Sequence, residues 1–98
     1  MNKIPYEERL KVYTNALVAY GEEKQCIVAI EELSECQKEI CKVLRGKGDA
    51  CHLAEEIADA LIGLEQMQYF FGLTEEVQEW MDSKVKRLEI KLKKESGV

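Results

Sequence analysis

The chain has 98 residues, of which 46% are hydrophobic and 34% are charged, and a single proline. This composition excludes a disordered chain and favours a compact helical protein, while the length allows one small core that a second subunit would help to bury. The net charge of −5 argues against binding to a nucleic acid polymer, because such binding needs a basic surface.

Four cysteines stand at spacings that match no zinc or redox motif, and the chain has one histidine. We therefore predict that all four are reduced and buried as small apolar residues. Residues 1–5 lead straight into charged residues rather than into a signal peptide, and no apolar run reaches the length of a membrane span. The sequence thus predicts one cytoplasmic domain of residues 1–98 without membrane association.

Proline and glycine residues delimit the first two predicted helices. Apolar residues recur at the helical period over residues 6–20, between Pro5 and Gly21. A longer helix is predicted over residues 22–44, ending at the glycine-rich segment of residues 45–49. Its expected core-facing stripe consists of Cys26, Ile30, Leu33, Ile40 and Leu44.

The third and fourth predicted helices follow the same pattern. Residues 50–71 form the third helix, with Asp49 as N-cap and Gly72 as its stop, and Thr74 is predicted to cap a fourth helix that ends near Glu95. The expected core-facing stripes are Leu53, Ile57, Leu61, Leu64, Met67 or Gln68, and Phe71 in the third helix and Val77, Met81, Val85, Leu88 and Leu92 in the fourth. No segment alternates with the period of a strand. We therefore predict an all-α fold, a four-helix bundle completed by oligomerisation.

Two acidic segments lie inside the second and third predicted helices: Glu31-Glu32-Leu33-Ser34-Glu35 and Glu55-Glu56-Ile57-Ala58-Asp59. Carboxylates three or four positions apart share a helical face and destabilise a bare helix. Salt-bridged surface acids are the ordinary explanation of a single glutamate. The last two acids of each segment, however, lack a lysine or arginine four positions on, so the two segments together predict a bound cation.

A helical wheel, at about 100° per residue, separates inner from outer acids. In the second helix Glu32 and Glu35 fall beside the apolar stripe, with Glu39 as an additional candidate. In the third helix Glu56 and Asp59 do so, while the first acid of each segment points outward. An antiparallel hairpin would set the two pairs against each other. Four carboxylates offer only oxygen ligands, which favour Mg²⁺, or Mn²⁺ as an alternative. A di-iron centre would need Glu-x-x-His motifs, and neither Glu35 nor Asp59 is replaced by histidine.

A basic row runs along the fourth predicted helix. Trp80, Lys84, Arg87 and Lys91 recur at spacings of three and four beside its apolar stripe. Matching of the helix dipole or salt bridges would explain these cations. The other explanation is phosphate binding, in which Arg87 grips two oxygens and Lys84 acts as a point charge.

The motif pair resembles a known family. Glu32-x-x-Glu35, twenty intervening residues and then Glu56-x-x-Asp59 is similar to the E-x-x-E and E-x-x-D motifs of the MazG-like all-α nucleoside triphosphate pyrophosphohydrolases. The preceding Gln25 and the basic row of the fourth helix extend this likeness to residues 22–92.

The resemblance implies Mg²⁺-dependent hydrolysis of a (d)NTP to (d)NMP and pyrophosphate, a housecleaning of the nucleotide pool. The four motif carboxylates would bind the metal, and Glu32 or Glu35 would orient the attacking water. Lys84 and Arg87 would bind the substrate phosphates.

Members of this family form the base pocket partly from the first helix and partly from a neighbouring subunit. The resemblance therefore makes Tyr13, Asn15 and Trp80 candidates for base binding, although tyrosines at helical spacing are more often core residues. It also agrees with a homodimer or homotetramer.

Two other functions are compatible with the sequence. A phosphoribosyl-ATP pyrophosphohydrolase shares the architecture and differs in its substrate. A non-catalytic helical module would use the acidic hairpin for oligomerisation or for binding a basic partner, and would gain no stability from added Mg²⁺.

Overall fold

The computed structural model describes residues 3–97 and contains four helices in this range, α1 (Tyr6–Tyr20), α2 (Glu22–Leu44), α3 (Ala50–Phe70) and α4 (Thr74–Glu95). No strand occurs in these residues. The predicted all-α fold with four helices is confirmed, and α3 ends one residue earlier than predicted. The predicted domain limits, residues 1 and 98, lie outside the described residues.

Local chemistry explains where the helices begin and end. Gly21, with φ of 87°, separates α1 from α2, and the Asp49 side chain accepts the backbone N–H of His52 at 2.7 Å, as predicted for an N-cap. The prediction that Thr74 caps α4 is wrong, since Thr74 is its first helical residue. Leu73 occupies the N-cap position because its N–H already closes the end of α3 on the carbonyl of Gln68, after a left-handed glycine.

Helices α2 and α3 form an antiparallel hairpin across residues 45–49, with a seam of small and polar side chains. The buried residues on the α2 side are Gln25, Ala29 and Glu39, and those on the α3 side are Ala60 and Gly63. A β-carbon on Gly63 would lie 3.4 Å from the α-carbon of Ala29. The absence of a side chain at Gly63 therefore lets the two backbones approach closely.

The predicted core-facing stripes of α2 and α3 do not form this seam. Leu53 and Met67 are half-buried, whereas the other large apolar members are 39% to 82% exposed, with Leu33 the least and Leu44 the most exposed of these. In both helices the stripe lies about 100° from the seam in the same sense, so in an antiparallel pair both stripes share one side of the hairpin. The prediction failed because the helices pack through small residues, which permit a closer approach than two facing rows of leucine.

Helix α1 is joined to α3 through a polar network. Tyr13 is buried, and its hydroxyl donates to Glu65 of α3 at 2.7 Å. Arg9 donates to the same carboxylate at 3.0 Å, and the Thr14 and Tyr69 hydroxyls lie 3.0 Å apart. Burial, followed by the hydrogen bond to Glu65, raises the pKa of Tyr13. These contacts fix the position of α1 along α3.

Helix α4 is attached to the hairpin only near its start. Residues 78–97 are all exposed, including the predicted stripe from Met81 to Leu92. The radius of gyration is 16.8 Å, against about 12.6 Å for a compact domain of this length. The accessible surface is 8065 Å², against about 5,700 Å² for a monomer of this mass. One copy of the chain therefore leaves much apolar surface uncovered.

The four thiols are free, as predicted. Cys26 and Cys36 are half-buried, whereas Cys41 and Cys51 are exposed, so the prediction of burial is wrong for the latter two. They lie on the outer faces of the hairpin, away from the small-residue seam. Within residues 3–97 no helix is both long and apolar enough to cross a membrane.

Candidate metal site

Three carboxylates meet in the hairpin at about mid-length. Glu32 of α2 and Glu56 and Asp59 of α3 each offer one oxygen, and these oxygens lie within 4.8 Å of one another. All three side chains are half-buried. We refer to these residues as the acidic triad. The sequence predicted all three, and the helical hairpin brings them together.

The seam explains why the acidic triad assembles. Glu32 lies one turn after Ala29 on the same face of α2, and Glu56 and Asp59 precede Gly63 on α3 by about two turns and one turn. The close contact of Ala29 with Gly63 therefore draws the carboxylates of the two helices toward each other. Further along the seam, beyond Ala29 and Gly63, the side-chain amide of Gln66 donates to the amide oxygen of Gln25 at 3.3 Å. This hydrogen bond pairs two polar side chains of the seam.

The acidic triad has no lysine or arginine partner within residues 3–97. Helix α3 contains neither residue type, and α2 contains none between Lys24 and Lys38. Burial raises the pKa of Glu32, and repulsion by the carboxylates of Asp59 and Glu56 raises it further. Three carboxylates therefore share one location with little compensation from the described part of the chain.

The donor set suits a hard divalent cation. Magnesium binds oxygen at about 2.0–2.1 Å and calcium at about 2.3–2.6 Å, so oxygens on opposite sides of one ion lie roughly 4–5 Å apart. The observed spacing within 4.8 Å agrees with that distance. A cation would neutralise the repulsion that raises the pKa of Glu32.

The other predicted acids lie outside the triad. Glu35 is exposed on α2, and it is not among the three carboxylates whose oxygens converge. Glu39 is buried in the seam further along α2, near the start of α3. The first acid of each segment, Glu31 and Glu55, is exposed, as the helical wheel predicted.

The predicted phosphate-binding residues, Lys84 and Arg87, lie on the exposed part of α4. The Lys84 ammonium stands 5.7 Å from the centre of the Trp80 ring, a cation–π contact. Neither cation forms an ion pair with an acid of the described residues 3–97. Both side chains are thus free to meet an anion.

The predicted base-binding residues are dispersed. Tyr13 is buried on α1 and bound to Glu65, Asn15 is exposed on α1, and Trp80 is 53% exposed on α4. Beside Tyr13, an apolar groove of about 620 Å³ runs between α1 and α3. Its lining includes Ala58 and Ile62, which are close in sequence to Asp59 of the acidic triad. The role of Glu65 could not be predicted from the sequence, because its partners Arg9 and Tyr13 lie on α1, and no local motif indicates how α1 packs.

No known family model matches the chain, and comparisons with curated proteins and with solved structures find no similar protein.

Proposed function

We propose that the protein is a Mg²⁺-dependent hydrolase that converts a (d)NTP to (d)NMP and pyrophosphate. The observation that carries the proposal is the acidic triad, in which carboxylates from two helices converge without a lysine or arginine partner in the described chain. The order and spacing of the two acidic motifs, which resemble those of MazG-like enzymes, supply the reaction class.

The metal would be held by Glu32, Glu56 and Asp59, with Mn²⁺ as an alternative to Mg²⁺. When bound, Mg²⁺ supplies charge neutralisation for the triphosphate. Glu35 is exposed, one turn from Glu32, and is available as a further ligand or as a base. Either Glu32 or Glu35 would accept a proton from the attacking water.

The reaction breaks the bond between the α-phosphorus and the oxygen that bridges to the β-phosphate. The water oxygen bonds to phosphorus, its proton passes to the carboxylate, and the bridging oxygen leaves with pyrophosphate. Lys84 and Arg87 would stabilise the charge that develops on pyrophosphate. Because Tyr13, Asn15 and Trp80 are dispersed in one copy, they would bind the base where a second copy brings them together.

Pyrophosphate release from a panel of common (d)NTPs and phosphoribosyl-ATP, with and without Mg²⁺, tests this function. We expect release that depends on Mg²⁺ and that Glu56→Gln and Asp59→Asn abolish. Glu55→Gln makes the same chemical change beside the triad and should leave activity intact. Preference for phosphoribosyl-ATP would change the substrate assignment, and no release from any substrate would contradict the proposal.

We also propose that the protein functions as a homodimer or a homotetramer. A second copy would cover the exposed stripes of α2 and α3, and the excess accessible surface of about 2,300 Å² is in the range that one partner loses in an obligate homodimer. Leu33 and Leu64 belong to these stripes, so Leu33→Lys and Leu64→Lys should shift the protein toward monomer in sedimentation experiments. Val18→Lys, on an exposed part of α1, is the matched control. Equal assembly of all three variants would contradict the interface.

The same uncovered apolar surface favours one alternative, a non-catalytic helical module that acts through assembly. Such a module would show no metal-dependent gain in thermal stability, whereas a protein with a metal site gains stability as Mg²⁺ is added.

A further inference from the structure

The only histidine of the chain lies between two carboxylates. His52 is in the first turn of α3, where its Nε2 is 3.2 Å from Oε1 of Glu56, a member of the acidic triad. Its Nδ1 is 3.7 Å from Oε1 of Glu39 on α2. The imidazole is about half exposed, so it joins the triad to a second carboxylate at the edge of the seam.

Glu39 is an unusual residue for this position. Its side chain is only 5% exposed, and it accepts no hydrogen bond within residues 3–97. Its basic neighbours are Lys42, at 3.8 Å, and the more exposed His52, at 3.7 Å. A buried carboxylate is costly unless it is paired. Of these two contacts, the one with His52 connects Glu39 to the acidic triad, because His52 also contacts Glu56.

The loop between α2 and α3 keeps this arrangement in place. A β-carbon on Gly48 would lie 3.3 Å from Oε1 of Glu39, so the glycine allows the loop to cover that carboxylate. Asp49 binds the backbone N–H of His52 and fixes the first turn of α3. The backbone of the hairpin therefore positions both the imidazole of His52 and the buried carboxylate of Glu39.

The hydrogen bond to Glu56 has a defined direction. An ionised carboxylate only accepts, so Nε2 of His52 carries the proton and donates it. A donor on one oxygen restricts rotation of the Glu56 carboxylate. In metal sites, partners of this kind orient a ligand, and their loss typically weakens metal binding by about 10- to 100-fold.

We infer that His52 is a positioning residue for the metal ligand Glu56, and that contact with the buried Glu39 limits movement of the imidazole from the other side. This inference rests on the proposed metal site. It predicts that the donor atom at position 52, and not the ring itself, sets the metal affinity.

Mg²⁺ affinity of the full chain, measured by calorimetric titration, tests the inference. Glutamine places a donor where Nε2 of histidine stands, so His52→Gln should bind Mg²⁺ about as tightly as the wild type. Leucine has a similar size without a donor, so His52→Leu should bind about 10- to 100-fold more weakly. His52→Asn, whose shorter side chain does not reach Glu56, should behave like the leucine variant. Circular dichroism without metal confirms that each variant is folded.

The double variant tests the role of Glu39. If Glu39 acts through the imidazole, Glu39→Gln weakens binding in the wild-type background and adds no further loss to His52→Leu. Equal affinity of wild type and His52→Leu would overturn the inference and leave the proposed function standing. Equal weakening by Gln and Leu would also overturn it. Failure of the wild type to bind Mg²⁺ would overturn both the inference and the proposed function.

Discussion

Replacing Glu32 by glutamine should stabilise the protein when no metal is present. Burial and the neighbouring carboxylates of Asp59 and Glu56 raise the pKa of Glu32, which means that its ionised form costs the folded state free energy at neutral pH. That cost disappears as the pH falls through the raised pKa. Glutamine removes the same charge at every pH while nearly preserving the shape of the side chain.

The size of this effect follows from the geometry of the acidic triad. At a separation of 4.8 Å, two unit charges repel by about 0.9 kcal/mol even at the dielectric constant of water. Two neighbours therefore contribute roughly 2 kcal/mol, which corresponds to a rise in melting temperature of roughly 8–15 °C for a domain of this size.

Thermal unfolding in EDTA measures this stabilisation, with Glu31→Gln as the matched control on the exposed side of α2. The control should change the free energy of unfolding by less than about 0.5 kcal/mol. Added Mg²⁺ should reverse the order, because a metal at 100 times its dissociation constant stabilises the wild type by about 2.7 kcal/mol and the variant by far less. If the Glu32→Gln variant is no more stable than the control in EDTA, repulsion within the acidic triad does not destabilise the metal-free protein.

Three further predictions concern the scaffold and α4. Gly63→Ala should change the free energy of unfolding by less than about 1 kcal/mol, because the added methyl group makes only an ordinary van der Waals contact with Ala29, whereas Gly63→Leu should cost about 1–3 kcal/mol and weaken Mg²⁺ binding as the helices separate. Tyr13→Phe should cost about 1 kcal/mol in urea unfolding at neutral pH. Because the pKa of Tyr13 is raised, the wild type should lose this stability as the pH rises above about 10, and the variant should lack that part of the pH dependence. Arg87→Ala should lower kcat/KM for the triphosphate by roughly 10- to 100-fold, while Lys86→Ala, which removes a lysine paired with a glutamate of its own helix, should have little effect.

The helices were predictable because their boundaries depend on local chemistry. Pro5, Gly21 and Asp49 act through backbone angles and a single side-chain hydrogen bond, all of which the sequence specifies directly. Thr74 shows the limit of such signals. Threonine is a favourable N-cap residue, but Leu73 occupies the N-cap position of α4. The backbone N–H of Leu73 also forms the hydrogen bond that ends α3.

The direction in which each helix packs was less predictable. Hydrophobic periodicity identified the stripes on α2 and α3 but not the side that meets the partner helix. Ala29 and Gly63 decide the packing through close backbone contact, a signal that is weak in a single sequence. The convergence of Glu32, Glu56 and Asp59 was still predicted, because a position beside the apolar stripe is also a position next to the seam.

Identification of the reaction products by ³¹P NMR distinguishes pyrophosphohydrolase activity from other triphosphate hydrolysis. With Mg²⁺ present, the wild type should convert a nucleoside triphosphate to the monophosphate and pyrophosphate in equal amounts, and Asp59→Asn should form neither product. Formation of the diphosphate and inorganic phosphate, or the same products from Asp59→Asn at the wild-type rate, would contradict the account.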